Sequence, residues 1–314
     1  MSTILAFINS LPGAVGQGLA WGIMAIGVYI TYRILDIADL TVDGSLATGG
    51  AVCAIAITLG VNPWIAMLLA ILAGMLSGFV TGFFHTVCGI PAILAGILTQ
   101  LALYSLNLRI LALGSDATTK ATLPLSVDNQ QLLLSSRFVR AWAFNNPILL
   151  LAALVLIVIG SLYWFFGTEL GSSLRATGAN PNMARAQGIN TNFNNELGLA
   201  LANGLVALSG ALLSQYQGFA EINMGRGAIV IGLAAIIIGE VIFSKIFINF
   251  GLKLAAVSIG AVIYYMVVQF VVSVVAINTN YLKLFSALIV AVFLAVPYWK
   301  QEHFHKNVKE GHHA

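Results

Sequence analysis

Nine apolar segments run through this chain, at approximately 14–35, 44–60, 63–84, 91–112, 147–166, 195–215, 224–242, 249–273 and 280–298. A bilayer core is ~30 Å thick and a helix rises ~1.5 Å per residue, so a span needs about 20 mainly apolar residues. The segments therefore predict an all-α polytopic membrane protein, because a helix satisfies its own backbone polar groups in lipid. Composition agrees: 8% of the 314 residues are charged and 59% are hydrophobic, too little polar surface to cover a soluble protein of this length. The formal charge of +3 is scattered, so no basic patch points to nucleic acid.

Pro63, Pro91 and Pro147 open three segments at the first turn, where a missing N–H costs least. The second and seventh, Gly44–Gly60 and Met224–Ile242, are short and glycine-rich. Both read as broken or re-entrant helices, tolerated at membrane depth where protein or a water-filled cavity satisfies the backbone. Cys53 and Cys88 read as small hydrophobes, and Met1 to Pro12 lacks the features of a cleaved signal peptide. The aromatic Trp64, Trp142, Trp164 and Trp299 suit belts near span ends, with Trp21 as the exception. The tail histidines 303, 305, 312 and 313 read as solvated, and no metal or cofactor site is expected.

Two polar stretches, 114–146 and 167–194, exceed an ordinary hairpin. Within the first, Ser126–Val139 reads as an amphipathic helix on the membrane surface. Four segments separate the second stretch from the C-terminal tail, which puts both on one side, and Lys300, Lys306 and Lys309 place that side in the cytoplasm. Lys120, Arg137 and Arg140 on the opposite side pull against this.

Residues 18–27 align with 200–209, and without a gap the same offset of 182 pairs Asp39 with Glu221 and Gly50 with Gly232. An odd number of segments lies between the copies, so the repeat is inverted, as in alternating-access transporters. On that basis the turns 39–45 and 221–227 are expected at opposite ends of one pathway.

The sharpest local run is GSSLRATGANPNMARAQGIN at 171–190. Gly178 and Asn180-Pro181 mark a turn, and Asn182–Gln187 forms a short helix that Asn180 caps and Gly188 stops. From the residues alone the run is either a polar connector or a handle for a partner.

This run resembles the coupling loop of permeases of the branched-chain amino acid and ribose type in bacterial ABC importers. GLALANGLVALSGALLSQYQG resembles the helix after that loop, DLTVDGSLATGGAV its first-half counterpart, and IPAILAGILTQLALYSLNLRI extends the likeness. The resemblance covers about residues 18–298 and is closest to amino-acid-type members, particularly a group associated with aromatic amino acids. It implies one permease domain over 1–298, with repeats at about 14–112 and 195–298, a coupling loop at 167–194 and a polar cytoplasmic tail at 299–314. It implies partners: cytoplasmic ATP-binding subunits, a second permease copy and an external solute-binding protein, in a bacterial inner membrane. The ATPase-docking role carries onto Arg175, Ala176, Gly178, Asn180, Pro181, Ala184, Arg185, Gly188 and Ile189. ATP and magnesium belong to the partner, since this chain has no GxxxxGK[ST] phosphate loop.

Polar groups inside apolar segments are the candidates for a pathway or gate, because each is costly in lipid. They are Asp39, Thr41, Asp43, Gln100, Asn107, Glu221, Asn223 and Glu240. Asp39 is otherwise a solvated turn residue capping a broken helix, Glu221 pairs with Arg226, and Glu240 faces water. No nucleophile, carboxylate pair or metal set suggests an enzyme. The rival readings are a self-sufficient secondary carrier or channel, which gives no reason for a docking helix at 175–190, and a permease of the same type for a sugar or nucleoside.

Overall fold

The computed structural model describes residues 2–114, 117–125, 132–136, 139, 146–243, 246 and 249–275, with 284, 287, 288, 290–292 and 295 beyond them. The helices are α1 (Ser2–Tyr29, continued by a π-turn at Ile30–Ile34), α2 (Val42–Thr58), α3 (Pro63–Thr86), α4 (Ala92–Ile110) and α5 (Pro147–Phe166). They continue as α6 (Glu169–Ala179), α7 (Pro181–Ala186), α8 (Thr191–Gln217), α9 (Ala228–Phe243) and α10 (Phe250–Val275). Six of them are long and apolar enough to cross a membrane, and α2 and α9 are shorter apolar helices. The ninth predicted segment lies largely outside the described residues.

Local chemistry sets the helix starts. Asn62 and Asn146 accept the second helical N–H of α3 and α5, each with proline next to the cap. Thr168, Asn180 and Asn190 cap α6, α7 and α8 by accepting the third helical N–H. Gly178 lies inside α6 and not at the expected turn, which falls at Asn180.

Helices α1 and α8 form the centre: 78% and 83% of their spanning windows are buried, against 22% for α5, which therefore faces outward. Their packing is crossed. Helix α3 lies along α8, with Gly78 against the backbone of Leu199 and Ala200, and α10 lies along α1, with Gly18 against Val262. Gly22 of α1 meets Ser258 of α10, and Gly204 of α8 meets Met75 of α3. The small residues let backbones approach closely, the main source of helix association where lipid offers no hydrophobic drive.

Helices α2 and α9 start inside the bundle. After α1 the chain reverses at Asp36, which takes φ 56°, a left-handed conformation that Asp tolerates better than most residues. It then runs back inward, so that α2 begins level with the middle of α8. A buried polar cluster fixes this start. Asp39, 2% exposed, accepts from the Thr41 N–H at 2.9 Å and from Asn203 Nδ2 at 2.7 Å. Asn203 Oδ1 accepts from Ser45 at 2.6 Å, Ser45 and Ser77 share a 2.7 Å bond, and Thr41, Thr81 and Thr99 form a hydroxyl chain. Asp39 is thus held in the interior, against the expectation of a solvated turn: the returning segment buries it, and the Thr41 and Asn203 donors replace water.

The second half repeats the manoeuvre. Gly218, at φ 80°, ends α8, and the chain returns through Phe219–Glu221, which pairs antiparallel with Thr122–Pro124. This two-stranded ladder interrupts the all-helical plan because an extended segment must find partners for its backbone groups. At 17 and 16 residues, α2 and α9 reach only about 26 and 24 Å.

One other expectation changes. Of the amphipathic stretch 126–139, residues 126–131 and 137–138 lie outside the described residues. Leu132–Leu134 are not helical, and Leu134 is buried in the core beside Leu133, whose N–H donates to Gln215 Oε1. The leucines thus face inward and not the membrane surface. Trp21 is buried against Tyr265, whereas Trp64 and Trp164 are exposed near helix ends. Trp142 and Trp299 lie outside the described residues.

Candidate functional site

The starts of α2 and α9 meet. Asp43, in the first turn of α2, accepts from the N–H groups of Gly227 at 2.9 Å and Ile229 at 3.2 Å, and so caps α9 from another helix. Gly225 packs on the Asp43 carbonyl, where no Cβ would fit. The turns 39–45 and 221–227 are therefore in contact in the interior, not at opposite ends of a pathway. The reason is the two inward returns: the segments leave from opposite ends of the bundle but bring their helix starts to the same level.

Beside this junction is a cavity of about 150 Å³. Asp43, Gly44 and Ala47 of α2, Gln100, Leu101, Tyr104 and Asn107 of α4, and Ile222, Asn223 and Arg226 of the returning segment line it. Four of the predicted pathway residues, Asp43, Gln100, Asn107 and Asn223, are thus brought together. Four are not: Asp39 and Thr41 belong to the buried cluster, Glu221 sits on the short strand, and Glu240 is elsewhere. Arg226, expected to pair with Glu221, makes no ion pair among the described residues.

Glu240 instead takes a two-pronged bond from Arg33, at 2.8 and 2.9 Å, joining the ends of α1 and α9. Both side chains are substantially exposed, Arg33 by 53%. Arg33→Gln is therefore expected to lower stability by no more than about 1 kcal/mol, since solvent screens exposed pairs; thermal unfolding of the purified protein in detergent measures this. A cavity of about 490 Å³ with Tyr29 and Lys253 opens beside the pair.

At this same end, α6 and α7 form a clip. Arg175 bonds the Phe166 carbonyl and lies 5.1 Å from the Phe250 ring centre, and Gly178 packs on Ile34, so α6 is fastened to the ends of α5, α10 and α1. Helix α7 is held by buried Ala184 and by the 2.8 Å bond from Arg185 Nε to Thr191. Otherwise it is open: Pro181, Asn182, Met183, Arg185, Ala186, Gln187 and Gly188 are all exposed. Asn180 and Ala179 lead into it exposed, while Ala176 and Ile189 are half-buried.

A model of the family described as the permease component of the branched-chain amino acid transport system matches residues 11–297. The chain belongs to this family. It is a permease subunit of ABC type and not an enzyme. The permease is 40% identical over 291 residues to the tyrosine transport system permease protein of Clostridioides difficile, covering 92% of this chain and 91% of that one. It is 34% identical to an uncharacterized protein of Rickettsia prowazekii, over 92% and 98% of the two chains. Among solved structures, PsaBC from Streptococcus pneumoniae in complex with a Fab has a TM-score of 0.53 at 16% identity, over 93% of this permease and 94% of that chain. That likeness concerns the fold alone.

Sequence reasoning missed Arg33, Asn203 and the Ser45, Ser77, Thr81 and Thr99 hydroxyls. For Asn203 the signal was available: a carboxamide in the middle of ALANGLV needs a partner inside the bundle.

Proposed function

We propose that this permease is the membrane subunit of an ATP-driven importer that takes up a small amino acid-type solute delivered by an external binding protein. Helix α7 carries the reading. Six residues held at both ends, yet exposed on nearly every position, make a ready surface for a partner and serve no packing need of the bundle. Cytoplasmic ATP-binding subunits grip α7, supply ATP and magnesium, and move α6 with it. The end bearing α6 and α7 faces the cytoplasm of a bacterial inner membrane. A second permease copy completes a two-fold frame, since two ATP-binding subunits need two such clips. The two halves of the chain act as inverted repeats, and the cavity at the α2–α9 junction contacts the passing solute. The aromatic amino acid class is favoured by the tyrosine transport relative.

Met183 tests the docking role, being 50% exposed on α7. Met183→Glu places a charge on the interface without touching the core. Co-purification of the ATP-binding subunits and tyrosine uptake in proteoliposomes are both expected to fall by at least about tenfold, with normal insertion. Unchanged values in both would remove α7 from the coupling path.

A further inference from the structure

We propose that the cavity between α2, α4 and residues 222–226 binds the α-ammonium and α-carboxylate of an amino acid within the permease itself, without help from an external binding protein. This rests on the amino-acid reading above. Asn107 carries the inference. It is 1% exposed, and neither Oδ1 nor Nδ2 has a hydrogen-bond partner among the described residues. A buried carboxamide in that condition costs stability, and its place in the cavity wall gives the reason it is kept: a bound molecule completes it.

The charges on the same wall say what the molecule carries. Asp43 and Arg226 both line the cavity yet form no ion pair with each other. An anion and a cation that act on each other across one small cavity without touching match a zwitterion, whereas a neutral sugar or nucleoside would bring a charge to neither. Arg226 offers a fork of donors to a carboxylate. Each Asp43 oxygen accepts one backbone N–H, and a carboxylate has about four acceptor sites, so capacity remains for an ammonium group. Asn107 serves both, Nδ2 donating to the carboxylate and Oδ1 accepting from the ammonium.

Size and opening agree. At ~30 Å³ per water in the liquid, 150 Å³ corresponds to about five waters, room for the head group of an amino acid. Leu101 and Tyr104 are exposed at its edge, where the solute's own side chain would lie.

The test uses the permease and its ATP-binding subunits, purified without a binding protein. Calorimetric titration compares L-tyrosine and L-leucine with tyramine, which lacks the carboxylate, and 3-(4-hydroxyphenyl)propionate, which lacks the ammonium. One or both amino acids should bind saturably, and the two analogues at least about tenfold more weakly. Arg226→Gln should lose a similar factor. Asn107→Leu should abolish binding while raising the unfolding temperature, because it removes an unsatisfied buried amide; a merely structural Asn107 would lower it. Absence of binding by both amino acids, equal binding of L-tyrosine and its analogues, or wild-type affinity in both variants overturns the site. Uptake by the complete transporter is measured in parallel. If amino acid uptake persists while the site fails these criteria, this inference alone is lost; if a sugar or nucleoside is taken up and no amino acid is, the amino-acid reading falls with it.

Discussion

Replacing Asn203 with leucine should cost the permease about 3–5 kcal/mol, the scale for stranding a buried charge. Leucine keeps the branched shape but is larger, so some overpacking adds to the loss. The chemistry changes completely. Asn203 is fully buried, donates to Asp39 at 2.7 Å and to the Leu199 carbonyl at 3.0 Å, and accepts from Ser45 at 2.6 Å. Leucine leaves the Asp39 carboxylate with the Thr41 groups but no amide, and leaves the Ser45 hydroxyl without that acceptor. Because Asp39, Ser45 and Ser77 together fix where α2 begins, the loss should appear as a lower unfolding temperature and as failure of uptake. Asp39→Asn in the same background removes the stranded charge and should restore a substantial part of the stability. An unfolding temperature for Asn203→Leu equal to that of the wild type would show that the cluster does not hold the helix start.

A second large effect is expected at Gly178. A Cβ there would overlap the Ile34 carbonyl and crowd Leu35, both backbone groups at the end of α1 that cannot step aside. Valine must therefore lift α6 off the bundle, at a cost of about 1–3 kcal/mol or more. The strain falls on the joint that links α7, the proposed docking helix, to the centre of the molecule. Uptake should fall by at least about tenfold, with the bundle still folded by circular dichroism. Gly160 of the outward-facing α5 is the control: nothing lies within reach of a Cβ there, so Gly160→Ala should leave uptake near the wild-type value. Wild-type uptake by Gly178→Val would overturn the coupling role of this contact.

Much of the architecture was legible because lipid imposes few solutions. Segment length set the long helices, proline with asparagine set the starts of α3 and α5, and the Asn180-Pro181 pair set α7. The shortness of α2 and α9 marked them as unusual. What the chain did not reveal was where their starts lie, because that depends on two connecting segments folding inward, and a turn residue such as Asp39 looks the same whether it meets water or Asn203. The candidate cavity was half legible. Asp43, Gln100, Asn107 and Asn223 stood out as polar groups in apolar surroundings, but Arg226 was assigned to Glu221, and Arg33 and Glu240 are 207 positions apart with no pattern to join them. Pairings of that kind are decided by three-dimensional register, which hydropathy does not carry.

The cap that Asp43 places on α9 also bears on leakage. Under the proposed importer role, a permease that opened both faces at once would short-circuit the ion gradients of the cell. Helix α2 leads from the junction towards one face and α9 towards the other, and a single carboxylate in the first turn of α2 holds the first N–H groups of α9. Neither half-helix can swing outward alone without dragging its opposite number or stranding Asp43. The starts of the two short helices are thereby tied to one carboxylate, so a displacement of either is felt by the other.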